Sequence, residues 1–250
     1  IAETGGLNAM IVDSTALPEQ VVRDLIISAF QSAGQRCSAA RLLCVQEDVA
    51  PRILEMLQGA MKELRLGDPG DLSTDVGPVI DEAARARIEA HLARYADRVL
   101  YRLDVPAHLS NGTFVGPAIV RLDQPEDLKE EIFGPVLHVT TWKAGELTQL
   151  VERINASGYG LTMGLHSRLG EAAQAVAQTA HVGNLYVNRS MIGAVVGVQP
   201  FGGEGLSGTG PKAGGPHYLL RFAAERTVSI DTTSAGGNTS LLALADDLAV

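Results

Sequence analysis

Cys37 and Cys44 are the residues of this chain best suited to nucleophilic chemistry. Cys37 lies in the motif Gly-Gln-Arg-Cys-Ser-Ala at residues 34–39, between a predicted helix and a predicted strand. A cysteine attacks as its thiolate, so it needs positive potential and access, which Arg36 and a tight turn at Gly34 favour. A backbone N–H beside the sulfur could also donate to an oxyanion. Most lone cysteines are nevertheless buried and inert, an interpretation that spacing alone favours for Cys37 and that we adopt for Cys44.

The composition excludes several classes of protein. The chain has 250 residues, of which 46% are hydrophobic and 20% are charged, as is ordinary for an α/β protein with a sizeable core. Its net charge of −9, without a basic cluster, argues against nucleic-acid binding. Two cysteines do not make a disulfide framework or a zinc spacing, so we expect no metal and a reducing, cytoplasmic setting. We also expect no membrane span and no signal peptide.

Helical and strand-like segments alternate along the chain and must position that cysteine. The pattern predicts strands at residues 9–13, 39–45, 114–122, 136–142, 184–188, 194–198 and 227–233. It predicts helices at residues 18–32, 48–64, 81–95, 146–155 and 170–180. Because strands alternate with helices, we expect an α/β fold with an open, largely parallel sheet.

Residues 200–216, the glycine-rich segment, interrupt this alternation. Seven glycines in this stretch predict an ordered functional loop. Within it, Gly-Glu-Gly-Leu-Ser-Gly at residues 203–208 has the dinucleotide-binding spacing G-x-G-x-x-G. A true fingerprint lies between a strand and a helix, and the glycines and prolines that follow leave no clean start for a helix. We therefore reject it as a pyrophosphate site.

Four motifs, taken together, resemble the aldehyde dehydrogenase superfamily in their order and separations. They are Glu-Thr-Gly-Gly at residues 3–6, the cysteine motif at 34–39, Glu-Glu-Ile-Phe-Gly-Pro-Val at 130–136, and Pro-Phe-Gly-Gly at 200–203 followed by Ser-Gly-Thr-Gly at 207–210. Each motif alone is weak evidence, but four in order are strong. The resemblance covers the whole chain and implies the aldehyde dehydrogenase catalytic domain, with a C-terminal oligomerisation strand.

The resemblance assigns the catalytic roles to Cys37 and Glu3. Cys37 would attack an aldehyde to give a thiohemiacetal, hydride would leave to a nicotinamide, and the resulting thioester would need an activated water. Glu3 matches the general base of the family. Taken alone, a glutamate beside a glycine turn is more often a cap or a solvated residue.

The resemblance also implies cofactor contacts. Glu131 matches the residue that holds the nicotinamide ribose hydroxyls, and Phe133 would pack against the nicotinamide. The backbone at Thr4 and Gly5 would receive the carboxamide. Without the resemblance, Glu131 would simply end a charged run and Phe133 would be a core residue. We expect NAD, although the contacts that distinguish it from NADP would lie upstream.

A narrower resemblance concerns the substrate. Lys-Ala-Gly-Gly-Pro-His-Tyr at residues 212–218 is similar to glutamate semialdehyde (1-pyrroline-5-carboxylate) dehydrogenases, in which backbone N–H groups of such a loop grip the substrate carboxylate. Gly214 and Gly215 would supply these groups, Ser38 a hydroxyl donor, and Phe222 an aromatic surface. This implies oxidation of L-glutamate γ-semialdehyde to L-glutamate, the second step of proline catabolism. A plain turn and a core phenylalanine are the alternatives.

The ends of the chain suggest a larger protein. The first residue is Ile1 and a motif follows at once, so we expect a piece of a longer polypeptide, with the N-terminal cofactor-binding half absent. Residues 227–242 resemble the C-terminus of bifunctional enzymes in which the aldehyde dehydrogenase follows an FAD-dependent proline dehydrogenase. We divide the chain into a catalytic domain (1–200), a substrate-anchor segment (201–225) and an oligomerisation strand and tail (226–250) of a homo-oligomer.

The isolated chain should be inactive, since the family's second oxyanion donor, an Asn, belongs to the missing half. Losing one such donor costs about 100- to 1,000-fold in rate. Three alternatives stay open. The first is an aldehyde dehydrogenase for another aldehyde. The second is a cysteine hydrolase using His138, His166 or His217, and the third is a non-catalytic assembly module.

Overall fold

A computed structural model describes residues 1–231, which divide into two units, Ile1–Tyr218 and the part that begins at Leu219. The first unit is built on a seven-stranded sheet. Its strands are β2 (Ala9–Val12), β3 (Leu42–Gln46), β4 (Val99–Arg102), β5 (Ala118–Arg121), β6 (Val136–Trp142), β8 (Thr162–His166) and β9 (Asn184–Val187), in the order β4-β5-β6-β3-β2-β8-β9. All neighbouring strands are parallel except β4, which runs antiparallel to β5 at one edge. The predicted open, largely parallel sheet is confirmed.

Within residues 1–231, five α-helices cover the sheet: α1 (Pro18–Phe30), α2 (Ala50–Lys62), α3 (Glu82–Arg94), α4 (Leu147–Asn155) and α5 (Gly170–Thr179). α1 packs on α2, and α4 packs on α5. In α1, Val21, Leu25 and Ala29 recur every four residues, so they share the face that is fully buried. No helix within residues 1–231 combines the length and the apolarity that a membrane crossing requires.

The core has two parts, one on each face of the sheet. Alternate residues of β2 point to opposite faces, so Met10 and Val12 join one cluster whereas Ala9 and Ile11 join the other. Both faces of the central strands are therefore apolar, as is usual for parallel sheets covered by helices on both sides.

Four two-residue strands of the described chain lie outside the main sheet. They are β1 (Ala2–Glu3), β7 (Tyr159–Gly160), β10 (Glu204–Gly205) and β11 (Gly208–Thr209). β1 pairs antiparallel with β11, and β10 pairs antiparallel with β7. The glycine-rich segment is thus fixed by main-chain pairing, and no helix begins between residues 209 and 218, directly after its G-x-G-x-x-G spacing, in agreement with the rejection of that motif.

Several predicted boundaries differ from the structure. The predicted strand at 194–198 is wrong, because the chain turns there. The Val195 carbonyl accepts from the amides of Val198 and Gln199. Gly193 and Gly197 have positive φ values of 79° and 77°. The sequence pattern did not predict β4 and β8. The helix predicted to reach residue 32 ends at Phe30, because Ser32 lies at φ 56°.

The second unit begins with a 3₁₀ turn at Leu219–Phe222. Residues 223–231, which include the first five residues of the strand predicted at 227–233, contain no strand paired within the described chain. Residues 232–250, which hold the rest of that predicted strand and most of the tail, lie outside the described residues. That strand, and the division of the chain at residues 200 and 225, stay predictions.

Candidate active site

The cysteine loop, residues 34–38, follows the end of α1 through a strained turn. Ser32, Ala33 and Gly34 have φ values of 56°, 52° and 65°, in the left-handed region that favours glycine. At Gly34 a Cβ would lie 2.1 Å from the carbonyl oxygen of Gly134, so only glycine fits this close approach. The turn ends the helix and brings the cysteine against the loop that carries Glu131.

The side chain of Asn8, directly before β2, fixes the cysteine loop by hydrogen bonds. Its Nδ2 donates to the carbonyl oxygens of Cys37 (2.6 Å) and Ala39 (2.9 Å), while its Oδ1 accepts from the Thr162 amide (3.2 Å). Asn8 is buried, so its bonds to Ala39 and Thr162 are shielded from water, and its bond to Cys37 is partly shielded. One side chain therefore links the cysteine loop to β2 and β8.

The surroundings of Cys37 set the state of its thiol. Partial burial raises the pKa of Cys37 above its ordinary value, and the nearby carboxylates of Glu131 and Glu3 raise it further. The backbone N–H groups of Ser38 and of Cys37 itself point at the sulfur and oppose this rise by stabilising the thiolate. The structure thus brings the predicted nucleophile and two predicted site carboxylates within electrostatic range of one another. Burial in β3 raises the pKa of Cys44 far above its ordinary range, consistent with an inert residue.

Arg41 lies behind the cysteine loop and is fully buried. Its Nη1 donates to the carbonyl oxygens of Gly34 (2.7 Å) and Gly134 (3.2 Å). Its Nη2 donates to the carbonyl oxygen of Arg36 (2.9 Å) and to Glu131 Oε1 (3.1 Å). Burial lowers the pKa of Arg41, and the charge of Glu131 opposes that change. The arginine therefore stays charged and bridges two loops.

Glu131 and Phe133 form the part of the site that fits a dinucleotide. Glu131 is 18% exposed, and burial raises the pKa of its carboxyl, whereas Arg41 and the Gly6 amide lower it. Its Oε2 lies over Gly5, where a Cβ would be 1.8 Å away. Phe133 is 43% exposed, with the Arg41 guanidinium carbon 5.2 Å from its ring centroid. An oriented carboxylate and an open aromatic face are suited to ribose hydroxyls and a nicotinamide ring.

Glu3 and Thr4 are positioned by the glycine-rich segment. Glu3 is opposite Gly208 in the β1–β11 pair, and Thr4 donates from its amide to Ser207 (3.1 Å) and from its hydroxyl to Leu206 (2.5 Å). A Cβ on Gly208, at φ 146°, would lie 2.3 Å from the Ala2 carbonyl oxygen. The Glu3 side chain is exposed, which leaves its carboxylate accessible to water.

The residues predicted to bind the substrate differ from one another in burial and in hydrogen bonding. Ser38 is buried beside Cys37, and its carbonyl accepts from the Thr162 hydroxyl (3.3 Å). Gly214 has φ 71°, and its carbonyl accepts from the Gly197 amide (3.0 Å). The Gly215 amide, predicted to bind a carboxylate, donates here to the Lys212 carbonyl (3.0 Å), so it must exchange this partner to bind an anion.

Phe222 belongs to the second unit, where its side chain is 69% exposed in the 3₁₀ turn. Its assignment as the aromatic residue that contacts substrate stays a prediction. The same holds for the roles predicted for Ser38, Gly214 and Gly215.

The histidines do not support hydrolase chemistry. Within residues 1–231, Cys37 makes no hydrogen bond to a histidine. His138 is fully buried, with Nδ1 3.0 Å from the Arg41 carbonyl oxygen and Nε2 2.8 Å from His91 Nε2, and burial lowers its pKa to about 4. His166 faces buried Asp24, and His217 is exposed. The hydrolase alternative therefore lacks its general base in this part of the chain, which also holds no cluster of metal-binding side chains.

Two residues of the site were missed by sequence reasoning, Arg41 and Asn8. A charged residue inside the apolar stretch 39–45 was a signal for Arg41, because arginine is almost never buried unless it is paired. Asn8 precedes an apolar strand, and nothing in its local sequence indicates that it bonds residues 29 and 31 positions away.

Comparison with known proteins adds an independent line of evidence. The model of the aldehyde dehydrogenase family matches residues 1–228. The bifunctional protein PutA of Escherichia coli (strain K12) is 58% identical over 236 residues, which are 92% of this chain and 18% of that protein. A 1-pyrroline-5-carboxylate dehydrogenase of Geobacillus sp. (strain WCH70) is 38% identical over 231 residues, which are 92% of this chain and 44% of that protein.

Solved structures agree with this result. The crystal structure of a bifunctional proline utilization A (PutA) protein matches with a TM-score of 0.89 and 57% identity over 94% of this chain and 24% of the PutA chain. A 1-pyrroline-5-carboxylate dehydrogenase from Thermus with bound NAD matches with a TM-score of 0.79 and 35% identity, over 88% of this chain and 42% of that one. The chain thus spans less than half the length of each of these proteins.

Proposed function

The chain belongs to the aldehyde dehydrogenase family, and on that basis we propose that it is part of an enzyme that oxidises L-glutamate γ-semialdehyde to L-glutamate with NAD, the second step of proline catabolism. The observation that carries the proposal is the convergence of Glu131 and Glu3 on Cys37, which appears in the electrostatics of the thiol. The relatives named PutA and 1-pyrroline-5-carboxylate dehydrogenase support the choice of substrate.

Cys37 is the nucleophile in this proposal. Its sulfur attacks the aldehyde carbon to give a thiohemiacetal, and the N–H groups of Cys37 and Ser38 that point at the sulfur lower the cost of forming the thiolate. Burial and two carboxylates raise the thiol pKa, and these amides oppose that rise, so they favour the thiolate that the attack requires.

Glu3 activates the water that hydrolyses the thioester. Its carboxylate is exposed, and β1 holds its backbone against β11, so the base has access to water while its main chain is fixed. Hydrolysis releases the carboxylic acid and returns Cys37 as a free thiol.

Four residues would hold the dinucleotide: Glu131 at the ribose hydroxyls, Phe133 against the nicotinamide, and the backbone of Thr4 and Gly5 at the carboxamide. When it is bound, the nicotinamide accepts the hydride that leaves the substrate carbon. The NAD-bound Thermus relative supports NAD as the dinucleotide.

The carboxylate of the substrate would be bound by the glycine-rich segment and its C-terminal flank. Gly214 and Gly215 offer backbone N–H groups, and Ser38 offers a hydroxyl. The contact of Phe222 with the aliphatic carbons is assigned by the resemblance alone. Successive amides in such a turn make a nest for an anion. The Gly215 amide is released from Lys212 when the carboxylate enters.

A longer polypeptide would complete the enzyme. The chain matches only 18% of the E. coli PutA protein, so we propose that an N-terminal part supplies the second oxyanion donor and most of the dinucleotide site. We also propose an FAD-dependent proline dehydrogenase domain in the same polypeptide, assembly into a homo-oligomer and a cytoplasmic location. The isolated 250 residues are expected to be inactive.

Steady-state kinetics of the complete polypeptide test the proposed function. NAD reduction should proceed with glutamate γ-semialdehyde at a kcat/KM at least about 100-fold above that for propanal, since a bound carboxylate is worth a few kcal/mol. A preference for neutral alkanals would assign the chain to another aldehyde and overturn the carboxylate anchor.

Replacement of the nucleophile tests the catalytic role. Cys37→Ala should reduce turnover by about 10⁴-fold or more while NAD binding persists, and Cys44→Ala is the matched control that keeps activity. Unchanged activity in Cys37→Ala would leave only the non-catalytic assembly role.

A further inference from the structure

The cysteine loop and the Glu131 loop (residues 130–135) meet around a single side chain. Arg41 is fully buried, and its two terminal nitrogens reach four acceptors. Two acceptors, the carbonyls of Gly34 and Arg36, belong to the cysteine loop. The other two, the Gly134 carbonyl and the Glu131 carboxylate, belong to the Glu131 loop. The guanidinium is therefore bonded equally to both loops.

The backbones of the two loops touch at the same place. A Cβ on Gly34 would lie 2.1 Å from the Gly134 carbonyl oxygen and 2.9 Å from that of Ala29. Two carbonyl oxygens, of Gly34 and Gly134, thus come together on one side of the guanidinium, and they would repel each other without a shared donor. Arg41 supplies that donor through Nη1.

The two loops carry the groups that the proposed reaction needs. Cys37 directly follows Arg36, whose carbonyl is bound, and Glu131 is bound through its own carboxylate. Phe133 lies against the same guanidinium at 5.2 Å. A displacement of Arg41 would therefore move the sulfur, the carboxylate and the aromatic ring relative to one another.

Only arginine satisfies this set of acceptors. Its planar fork of five N–H donors can serve four oxygens in fixed directions. Lysine offers three donors on a single nitrogen and would leave buried acceptors unpaired. The charge would survive in an Arg41→Lys variant, while the bridge between the loops would not.

We propose that Arg41 is a positioning residue that locks the cysteine loop to the Glu131 loop, so that the nucleophile and the dinucleotide-binding carboxylate are held in one fixed arrangement. This inference rests on the proposed function and deepens it. Arg41 touches neither substrate nor dinucleotide in this role, and it acts through Glu131, Phe133 and the backbone beside Cys37.

The test uses Arg41→Lys and Arg41→Met in the complete polypeptide. Four readouts are used: thermal stability, the NAD dissociation constant by calorimetry, steady-state kcat and aldehyde KM, and the pH profile of Cys37 alkylation by iodoacetamide, followed by mass spectrometry of the Cys37 peptide. Arg153→Lys is the matched control, since Arg153 makes a two-pronged ion pair with Glu126 at 2.6 Å on α4.

Arg41→Lys should raise the NAD dissociation constant about tenfold and reduce kcat about 10- to 100-fold, as expected for a displacement of the order of 1 Å, with the aldehyde KM changed less than about twofold. The alkylation profile should move to higher pH in Arg41→Lys, because the amides that stabilise the thiolate lose their alignment. It should move further in Arg41→Met, which also loses the positive charge. Arg153→Lys should change none of these quantities.

Folded Arg41 variants with wild-type NAD affinity and a wild-type alkylation profile would overturn the inference. So would failure of both variants to fold while Arg153→Lys folds, because that result assigns Arg41 to the scaffold alone. The proposed function fails separately, if the wild-type polypeptide neither binds NAD nor oxidises glutamate γ-semialdehyde. The alkylation profile would still test the inference, since it requires no dinucleotide.

Discussion

The cysteine loop and the glycine-rich segment both carry site residues, but different kinds of interaction hold them. Buried side chains, Asn8 and Arg41, fix the cysteine loop through its carbonyl groups. The glycine-rich segment is fixed by main-chain pairing, β11 with β1 and β10 with β7. The difference teaches that a nucleophile can depend on the identity of the buried side chains behind its loop, whereas a binding loop can depend chiefly on having no side chains at its turns.

The largest effect should come from breaking the side-chain support. Asn8→Ala removes the donor from the Cys37 and Ala39 carbonyls, and we expect kcat for aldehyde oxidation to fall about 100-fold, with a loss of about 1–3 kcal/mol in the free energy of unfolding. Kinetics and thermal unfolding of the complete polypeptide measure both. Asn155→Ala, which also breaks backbone bonds of an asparagine, at Thr179 and His181, is the control and should lower stability without lowering kcat. Equal kcat losses in both variants would contradict the comparison.

The second-largest effect should come from disturbing the main-chain pairing that supports Glu3. Gly208→Ala places a Cβ against the Ala2 carbonyl and pushes β1 away, so thioester hydrolysis should slow roughly tenfold, a small part of what a general base contributes. Mass spectrometry should then show acyl-enzyme accumulating on Cys37. Gly59→Ala, in α2 with no atom within 4 Å of the added Cβ, is the control and should hydrolyse the thioester normally. Absence of accumulated acyl-enzyme in Gly208→Ala would argue against this role of the β1–β11 pair.

A smaller and more selective effect is expected at the anchor turn. Gly214→Ala must hold alanine at φ 71°, at a cost of about 1–2 kcal/mol, so the KM for glutamate γ-semialdehyde should rise about five- to tenfold. The KM for propanal, which has no carboxylate, should stay unchanged in parallel assays. If both KM values rise together, the turn acts on the whole site and does not anchor the carboxylate.

The smallest effect at neutral pH should be on stability, and it should grow in acid. It should depend on buried His138 of β6 and not on exposed His217. The pKa of His138 is about 4 in the folded chain and near 6.5 when unfolded, so the unfolded chain binds the proton first as pH falls. Stability that is present above pH 6.5 is then lost as pH falls towards 4, by about 3 kcal/mol. Hydrogen exchange of β6 amides should show this loss, and His138→Gln should reduce it.

Exposed His217, beside the glycine-rich segment, is the control for this pH dependence. His217→Gln should keep the wild-type dependence of β6 exchange on pH. The same pH dependence in His138→Gln would assign the acid sensitivity to other groups, such as His91, whose pKa is also lowered by burial.

Much of the fold could be predicted from local sequence. β6 was predicted with its observed ends, since its four β-branched residues and a tryptophan within seven positions are a clear strand signal. β8, Thr-Met-Gly-Leu-His, lacks such a run and became a strand through its partners β2 and β9, which local patterns do not reveal. At 194–198 three valines suggested a strand, but Gly197 at φ 77° turns the chain.

The site divides in the same way. Cys37, Glu3 and Glu131 lie in motifs, so the resemblance could predict their roles, and both carboxylates lie near enough to Cys37 to raise the pKa of its thiol. Arg41 and Asn8 lie in no motif that was recognised. Arg41 meets Glu131 and Gly134 across 90 and 93 residues of chain, and such long-range pairs depend on the folded sheet. The Gly215 amide was correctly placed in a turn, but its bond to Lys212 could not be foreseen from composition.

The pairing of β1 with β11 also determines when, during synthesis, the support of Glu3 can form. Thr4 and the Leu206 carbonyl that it bonds are 202 residues apart, so Glu3 leaves the ribosome long before its support exists. At typical rates of synthesis this interval lasts roughly 10–40 s. Cys37 and Asn8 are only 29 residues apart and can meet early. A nascent chain would therefore complete the support of its nucleophile well before that of the carboxylate which regenerates it.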